Sequence, residues 1–408
     1  MTSAPLLAAL RHRNFRLFCF GQIISLCGTW MQTVAQTWLV YRLTKSEFLM
    51  GLTQFCTQIP VFALAPLGGL LSDRRPRRRI IVTCQSLLMA QALVLGLLTV
   101  TGRVGVREIL TLAFTMGCIN AFDMPARQSF IVEMAGKEDL FNAISLNSSI
   151  FNAARVVGPA LAGLLVARVG EGPCFLLNAA SFVPVILSLL AMQLPPYQKA
   201  VVEAPWEHLR QGFRYVYDTI RVRYLLMLLA AATLAGATAL VLMPFFADAI
   251  LKRGSRGLGA LLASMGVGAL AGTLALAGRG TTRGLVRVVM LSSAGLGASL
   301  ILLGLSRSYP LSLAIMVALG FSTLRQLAAT NTLIQSLIRD EYRGRVMSMY
   351  TMTVVGLVPF GSIVTGAVAA RVGAPVTVAA GGVLCLAATL LFWANLDRFR
   401  GMRKEVVR

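Results

Sequence analysis

LMGLTQFCTQIPVFALAPLGGLLSDRRPRRR, residues 49–79, carries the decision about fold in its two unequal parts. From Leu49 to Ser72 there is no charged side chain, and a helix of that length crosses the roughly 30 Å hydrocarbon core of a bilayer. At Asp73 the chain turns abruptly polar, with one acid and then five arginines around Pro76. A helix leaving a membrane on the cytoplasmic side ends this way, because Lys and Arg accumulate in cytoplasmic loops.

Working outward, apolar runs of similar length recur near 15–40, 49–72, 79–101, 108–133, 142–167, 173–193, 223–248, 257–277, 285–306, 309–336, 345–370 and 373–395. The 408 residues are 56% hydrophobic and 13% charged, with mean hydropathy +0.73, against about a quarter charged in soluble domains. The pattern predicts an all-α membrane protein of twelve transmembrane helices. The net charge of +22 concentrates in alternate loops, those assigned to the cytoplasm if both termini lie there. Attraction to anionic lipid accounts for it, so membrane lipid is an expected partner and nucleic acid is not. Arg11, Arg13 and Arg16 precede a first span too long for a signal-peptide core, which is therefore expected to remain.

Shifting the sequence by 203 residues lays 117–170 on 320–373 without a gap and brings ARVG at 167–170 onto ARVG at 370–373. A repeat containing six spans returns the chain to its starting side, which implies parallel repeats about an axis along the membrane normal. The expected division is an N-terminal six-helix bundle over 1–195, a cytoplasmic linker over 196–222 and a C-terminal bundle over 223–408. Within the linker, Trp206, Leu209, Phe213, Val216 and Ile220 recur at helical spacing, predicting an amphipathic helix on the cytoplasmic leaflet.

Polar side chains in hydrocarbon are costly and turn toward a bundle interior or a water-filled cavity. Gln22, Ser25, Thr29, Gln32 and Gln36 form one stripe on the first span, and Ser145, Ser148, Asn152 and Arg155 form another on the fifth. Hydrogen bonding between helices uses the same residue types, but a full-length stripe bearing an arginine favours a cavity. Gln22, Thr29, Gln32, Gln36, Asn152 and Arg155, with Arg325 and Asn331 of the tenth span, are therefore the expected substrate lining. Asp123 stands well inside the fourth span, with Arg127 one turn on and Pro125 between them. Arg127 at i+4 and Arg155 on the next span are both candidate partners, in either a structural ion pair or a proton-linked switch.

These residues resemble the major facilitator superfamily, in the bacterial branch of enterobactin exporters and macrolide efflux proteins. GGLLSDRRPRRR is similar to its G-x-L-a-D-R-x-G-R-[KR] element, with Gly69, Leu71, Asp73, Arg74, Arg77 and Arg78 in place and Pro76 where the element has its second glycine. The resemblance implies a cytoplasmic gate formed by Gly69, Asp73, Arg74, Arg77, Arg78, Asp123 and Arg127, in which Asp73 latches on the N-terminus of span eleven. Arg77 or Arg78 would reach Asp123 or Glu133. GPALAG, with Gly158, Pro159 and Gly163, is similar to the antiporter element in which small residues allow close helix packing. Ala113 stands where proton-coupled relatives carry an arginine, which leaves Asp123 as the candidate for proton coupling.

The resemblance implies a secondary exporter of a small amphiphilic molecule, siderophore-like or drug-like, in a bacterial inner membrane, with proton antiport by alternating access. A lysolipid or lipid flippase of the same fold is the alternative. An intramembrane enzyme is not expected: His12 and His208 fall outside the spans and no HExxH or G-x-S-x-G occurs. No metal or cofactor is expected either. Seven scattered cysteines form no CxxC pair, and no phosphate loop marks a primary pump.

Overall fold

The computed structural model of the chain describes residues 8–136, 138–194, 214–279, 283–338 and 342–395. Twelve helices among them are long and apolar enough to cross a membrane. They are α1 (Arg13–Thr44), α2 (Glu47–Arg74), α3 (Arg77–Val100), α4 (Val106–Ala135), α5 (Leu140–Val169) and α6 (Glu171–Leu190). After them come α7 (Ile220–Phe245), α8 (Gly254–Ala277), α9 (Leu285–Leu305), α10 (Tyr309–Leu337), α11 (Arg343–Val372, interrupted by a π turn at Met352–Gly356) and α12 (Ala374–Ala394). The described residues contain no strand, as hydrocarbon demands of a chain that satisfies its backbone within each span.

Local chemistry explains several boundaries. The Ser46 hydroxyl accepts from the Leu49 N–H at 3.3 Å and caps α2. Between α2 and α3 only Arg75 and Pro76 intervene, with Arg75 extended and Pro76 at φ −57°. That angle is what a proline ring imposes, so the turn needs no glycine. The two glycines that close the repeated ARVG do need to be glycine. Gly170 sits at φ +83° between α5 and α6, and Gly373 at φ +85° between α11 and α12.

The helices divide into two compact units, one formed from residues within 1–49, 56–203 and 252–263, the other from 50–55, 204–251 and 264–408. Inside the first, α1 packs on α5 and α6 while α3 packs on α4 and α6. Inside the second, the same pairs recur six helices later: α7 on α11 and α12, α9 on α10 and α12. Phe15, Phe18, Phe130 and Phe182 belong to the core of the first, Leu225, Val289, Ile334 and Phe392 to that of the second. Of the expected amphipathic linker helix, Trp206, Leu209 and Phe213 lie outside the described residues. Val216 falls in a helical turn at 214–218, and Ile220 opens α7.

Close helix approach uses small residues, as expected where lipid supplies no hydrophobic drive between helices. On α5, a Cβ added to Gly158 would stand 2.5 Å from the Trp30 Cβ and 2.9 Å from the Cys27 carbonyl oxygen of α1. Gly163 meets Gly259 of the segment 252–263, which also lies against the Pro159 carbonyl. On α2 it is Gly68 that lies against α4, touching the Ala121 carbonyl, while Gly69 faces open space. Pro125 has no N–H to give the Ala121 oxygen four residues back, so that carbonyl is free of the helix ladder where Gly68 approaches.

Candidate functional site

At one end of the first unit, α2 delivers Asp73 and the short Arg75–Pro76 connection starts α3 with Arg77. Asp73 and Arg77 stand 3.6 Å apart, and Arg77 Nη1 also donates to Glu133 Oε1 of α4 at 2.5 Å. One arginine thus bridges the ends of two helices, with Glu133 taking up the reach that the sequence left open between it and Asp123. Arg78 instead donates to the carbonyls of Leu190 and Met192 at 2.7 and 3.1 Å, tying α3 to the end of α6. Arg74 is exposed.

About three turns further into α4, Asp123 is 3% exposed. Arg127 donates to its Oδ2 through Nε at 3.1 Å and through Nη2, and Gln85 of α3 donates to its Oδ1 at 3.0 Å. The i+4 spacing therefore selects Arg127, and the longer-range candidate, Arg155, is engaged elsewhere. The carboxylate is compensated by one full charge and a neutral amide. The Gln85 Oε1, also buried, has no donor.

Most of the polar stripe of α1 is buried. Gln22, Gln32 and Gln36 are buried at 2%, 2% and 6% exposure. Gln32 donates to Gln91 Oε1 of α3 at 3.0 Å and accepts from Asn178 Nδ2 of α6 at 2.7 Å. Gln91 in turn donates to the Leu112 carbonyl of α4 at 3.3 Å, and Ser181 donates to Asn178. Thr29 spends its hydroxyl on the Ser25 carbonyl of its own helix. Gln32 thus belongs to a buried amide network joining four helices. Gln91 and Asn178 give little signal in the sequence, because each sits alone among apolar neighbours.

Half-buried Asn152 donates to the Ser148 carbonyl at 2.9 Å. Arg155, one turn on, is also half-buried and lies over the Trp30 ring of α1, 5.7 Å from its centroid. Phe151 meets the same ring nearly edge-on at 5.7 Å. In the second unit Arg325 lies over Phe321 at 5.3 Å with its buried Nε unpartnered, and Asn331 accepts from Gln335 at 2.6 Å. The 203-residue shift places Gln326 and Thr330 where the first unit has Asp123 and Arg127. Gln326 Nε2 and Thr330 Oγ1 are buried without partners, so the charged pair has no counterpart at those places.

A third group of charges was not anticipated. Asp139, just before α5, accepts from Arg11 Nε at 2.9 Å and is 2.8 Å from His12 Nε2, while the Asn142 Oδ1 takes the Ala9 N–H at 2.9 Å. The hydrogen bond to His12 and the charge of Arg11 hold the Asp139 carboxyl below its ordinary range. Among the described residues no cluster of His, Cys, Asp and Glu is placed to hold a metal.

Charged pairs at helix ends, a compensated carboxylate in mid-span and two arginines held on aromatic rings are the polar features of these otherwise apolar helices. Residues 4–402 match the family described as a transmembrane secretion effector. The Staphyloferrin A transporter of Staphylococcus aureus is 24% identical over 93% of this chain and 95% of its own. The multidrug efflux pump Tap of Mycolicibacterium fortuitum is 26% identical over 88% and 89%. Among solved structures, an inward-facing bacterial homolog of the human lysosomal transporter Spinster superposes with a TM-score of 0.72 at 15% identity, covering 94% of this chain and 96% of that one. That likeness gives the fold, twelve helices in the major facilitator arrangement. The protein is a multi-pass transporter of the cell membrane with a small-molecule substrate, not an enzyme, and it belongs to the transmembrane secretion effector family of the major facilitator superfamily.

Proposed function

We propose that the protein is a secondary exporter of small amphiphilic molecules, siderophore-like or drug-like, and that inward proton flow drives it by alternating access. The observation that carries this reading is Asp123, a buried mid-span carboxylate whose one charged partner sits a single helical turn away beside Pro125. Protonation would remove the charge that holds Arg127 and free one hydrogen-bond donor on the carboxyl. The helix is already short of one backbone hydrogen bond at Pro125, so a change in the pair has a place to become a change in bend. The bundles over 1–195 and 223–408 then act as the rocking halves. Asp73, Arg74, Arg77, Arg78, Asp123 and Arg127, with Gly69, form the cytoplasmic gate, and Gly158, Pro159 and Gly163 the close helix contact of α5.

Substrate reaches Thr29, Asn152, Arg155, Arg325 and Asn331 in this scheme. Relatives named for staphyloferrin A and for multidrug efflux support a molecule with polar and apolar parts. The test is uphill efflux from proteoliposomes with and without an imposed pH gradient, for wild type and Asp123→Asn. The folded variant is expected to bind substrate and lose the response to the gradient. Retention of uphill, gradient-dependent export by Asp123→Asn would remove it as the coupling site. Transfer of labelled lysolipid between leaflets, in place of solute efflux, would favour the flippase.

A further inference from the structure

We propose that Arg155 and Trp30 form the headgroup half of a binding site for an organic anion, so that the exported molecule carries a carboxylate or comparable oxyanion beside an apolar body. This rests on the exporter reading and narrows its substrate class.

Arg155 is near the middle of α5, roughly 22 Å from the helix's first residue at 1.5 Å per residue. A charge at that depth in hydrocarbon is costly, and an acidic partner is the usual relief. Arg155 has none: it makes no hydrogen bond and no ion pair among the described residues, and Asp123 is taken by Arg127 and Gln85. What holds Arg155 is the Trp30 ring, itself braced by Phe151.

That geometry leaves the chemistry unspent. A cation–π contact at 5.7 Å uses the charge of the guanidinium and none of its N–H donors, and a carboxylate takes two of those donors at once. The guanidinium fork is itself planar and pre-organised, so little side-chain freedom is lost per hydrogen bond formed. The side chain is only half-buried, so the site is open on one side. A cationic ligand would meet an uncompensated like charge and be rejected. Arg325 repeats the chemistry inside the second unit: it lies on Phe321, its Nε is buried and unpartnered, and it falls near the middle of α10.

The experiment uses full-length protein in nanodiscs of phosphatidylcholine, with Trp38, Trp206 and Trp393 changed to Phe so that Trp30 reports alone. The probes are 4-phenylbutanoate, 4-phenylbutan-1-ol and 4-phenylbutylammonium, which share an apolar body and differ in headgroup charge. The anion is expected to change Trp30 emission saturably and to bind about tenfold or more tighter than the other two, the scale of one charge-assisted bidentate pair. Arg155→Gln should abolish that preference and Arg155→Lys should keep only part of it, since an ammonium lacks the fork; if the Gln variant does not fold, the Lys variant decides. Equal binding of the three probes, unaltered preference in the folded variant, or the same saturation by chloride alone overturns the proposal. Proteoliposome efflux separates the two readings. Anion binding without uphill efflux of any probe sinks the exporter and leaves the site, while uphill efflux of the ammonium probe with no anion preference sinks the site and leaves the exporter.

Discussion

Gly68 and Gly69 are adjacent on α2, yet replacing them with alanine should have opposite effects. A Cβ on Gly68 would lie 3.0 Å from the Ala121 carbonyl carbon and 3.1 Å from the Phe122 Cα of α4, both backbone atoms that no rotamer can move. Carbon atoms prefer about 3.5–4.0 Å, and the Ala121 carbonyl oxygen lies closer still, so α2 and α4 have to part by roughly 1 Å or more. Overpacking of this kind costs about 1–3 kcal/mol, against a gain of about 0.8–1 kcal/mol from alanine's helix propensity. Gly68→Ala is thus expected to lose roughly 1 kcal/mol. Gly69→Ala meets nothing within 4 Å and keeps the propensity gain. The two variants should differ by roughly 2 kcal/mol, about 30-fold in the unfolding equilibrium, measured by reversible SDS titration in mixed micelles. Equal stabilities, or the opposite order, would show that α2 and α4 do not approach at Gly68. Pro125→Ala gives a further check, because it restores an N–H to the Ala121 oxygen and should change the cost of Gly68→Ala.

Asp73→Asn should insert and fold normally but impair transport, since it removes a charge of the proposed gate that is 39% exposed and disturbs no packed core; normal transport would reduce Asp73 to a surface residue. In a protein stripped of native cysteines, Gln32→Cys should resist water-soluble thiol reagents and Asn152→Cys should react, and the reverse result would restore the α1 stripe to a cavity. Asn178→Ala leaves the buried Gln32 oxygen without its donor, which in a membrane interior costs about 0.6–1.7 kcal/mol; an unchanged SDS midpoint would show that the network is not formed. The Asp139 carboxyl is held below its ordinary value, so its contribution is complete above about pH 3.9 and fades as pH falls through the lower folded-state value. The difference in thermal midpoint between wild type and Asp139→Asn should follow that course, and a difference that persists in more acidic solution would refute it.

The sequence by itself determined what depends on near neighbours along the chain. Twelve helices follow from the lengths of apolar runs, because a backbone in hydrocarbon has no other open-ended way to satisfy its polar groups. The repeated ARVG marked two turns that share one left-handed glycine conformation at Gly170 and Gly373. Asp123 and Arg127 pair because i and i+4 share a helix face. Tertiary structure decided what depends on which helix lies alongside. A stripe of glutamines is satisfied by water or by the amides of another helix, and its spacing is the same in both cases. Only the packing of both α1 and α3 on α6 brought Gln32 within reach of Gln91 and Asn178. In the same way the motif pointed to Gly69, but the approach of α4 singled out Gly68, and the place of α1 beside α5 gave Arg155 an aromatic ring instead of an acid. Helical periodicity fixes the face a side chain occupies, and the neighbour that face meets is set by contacts between residues far apart in the chain.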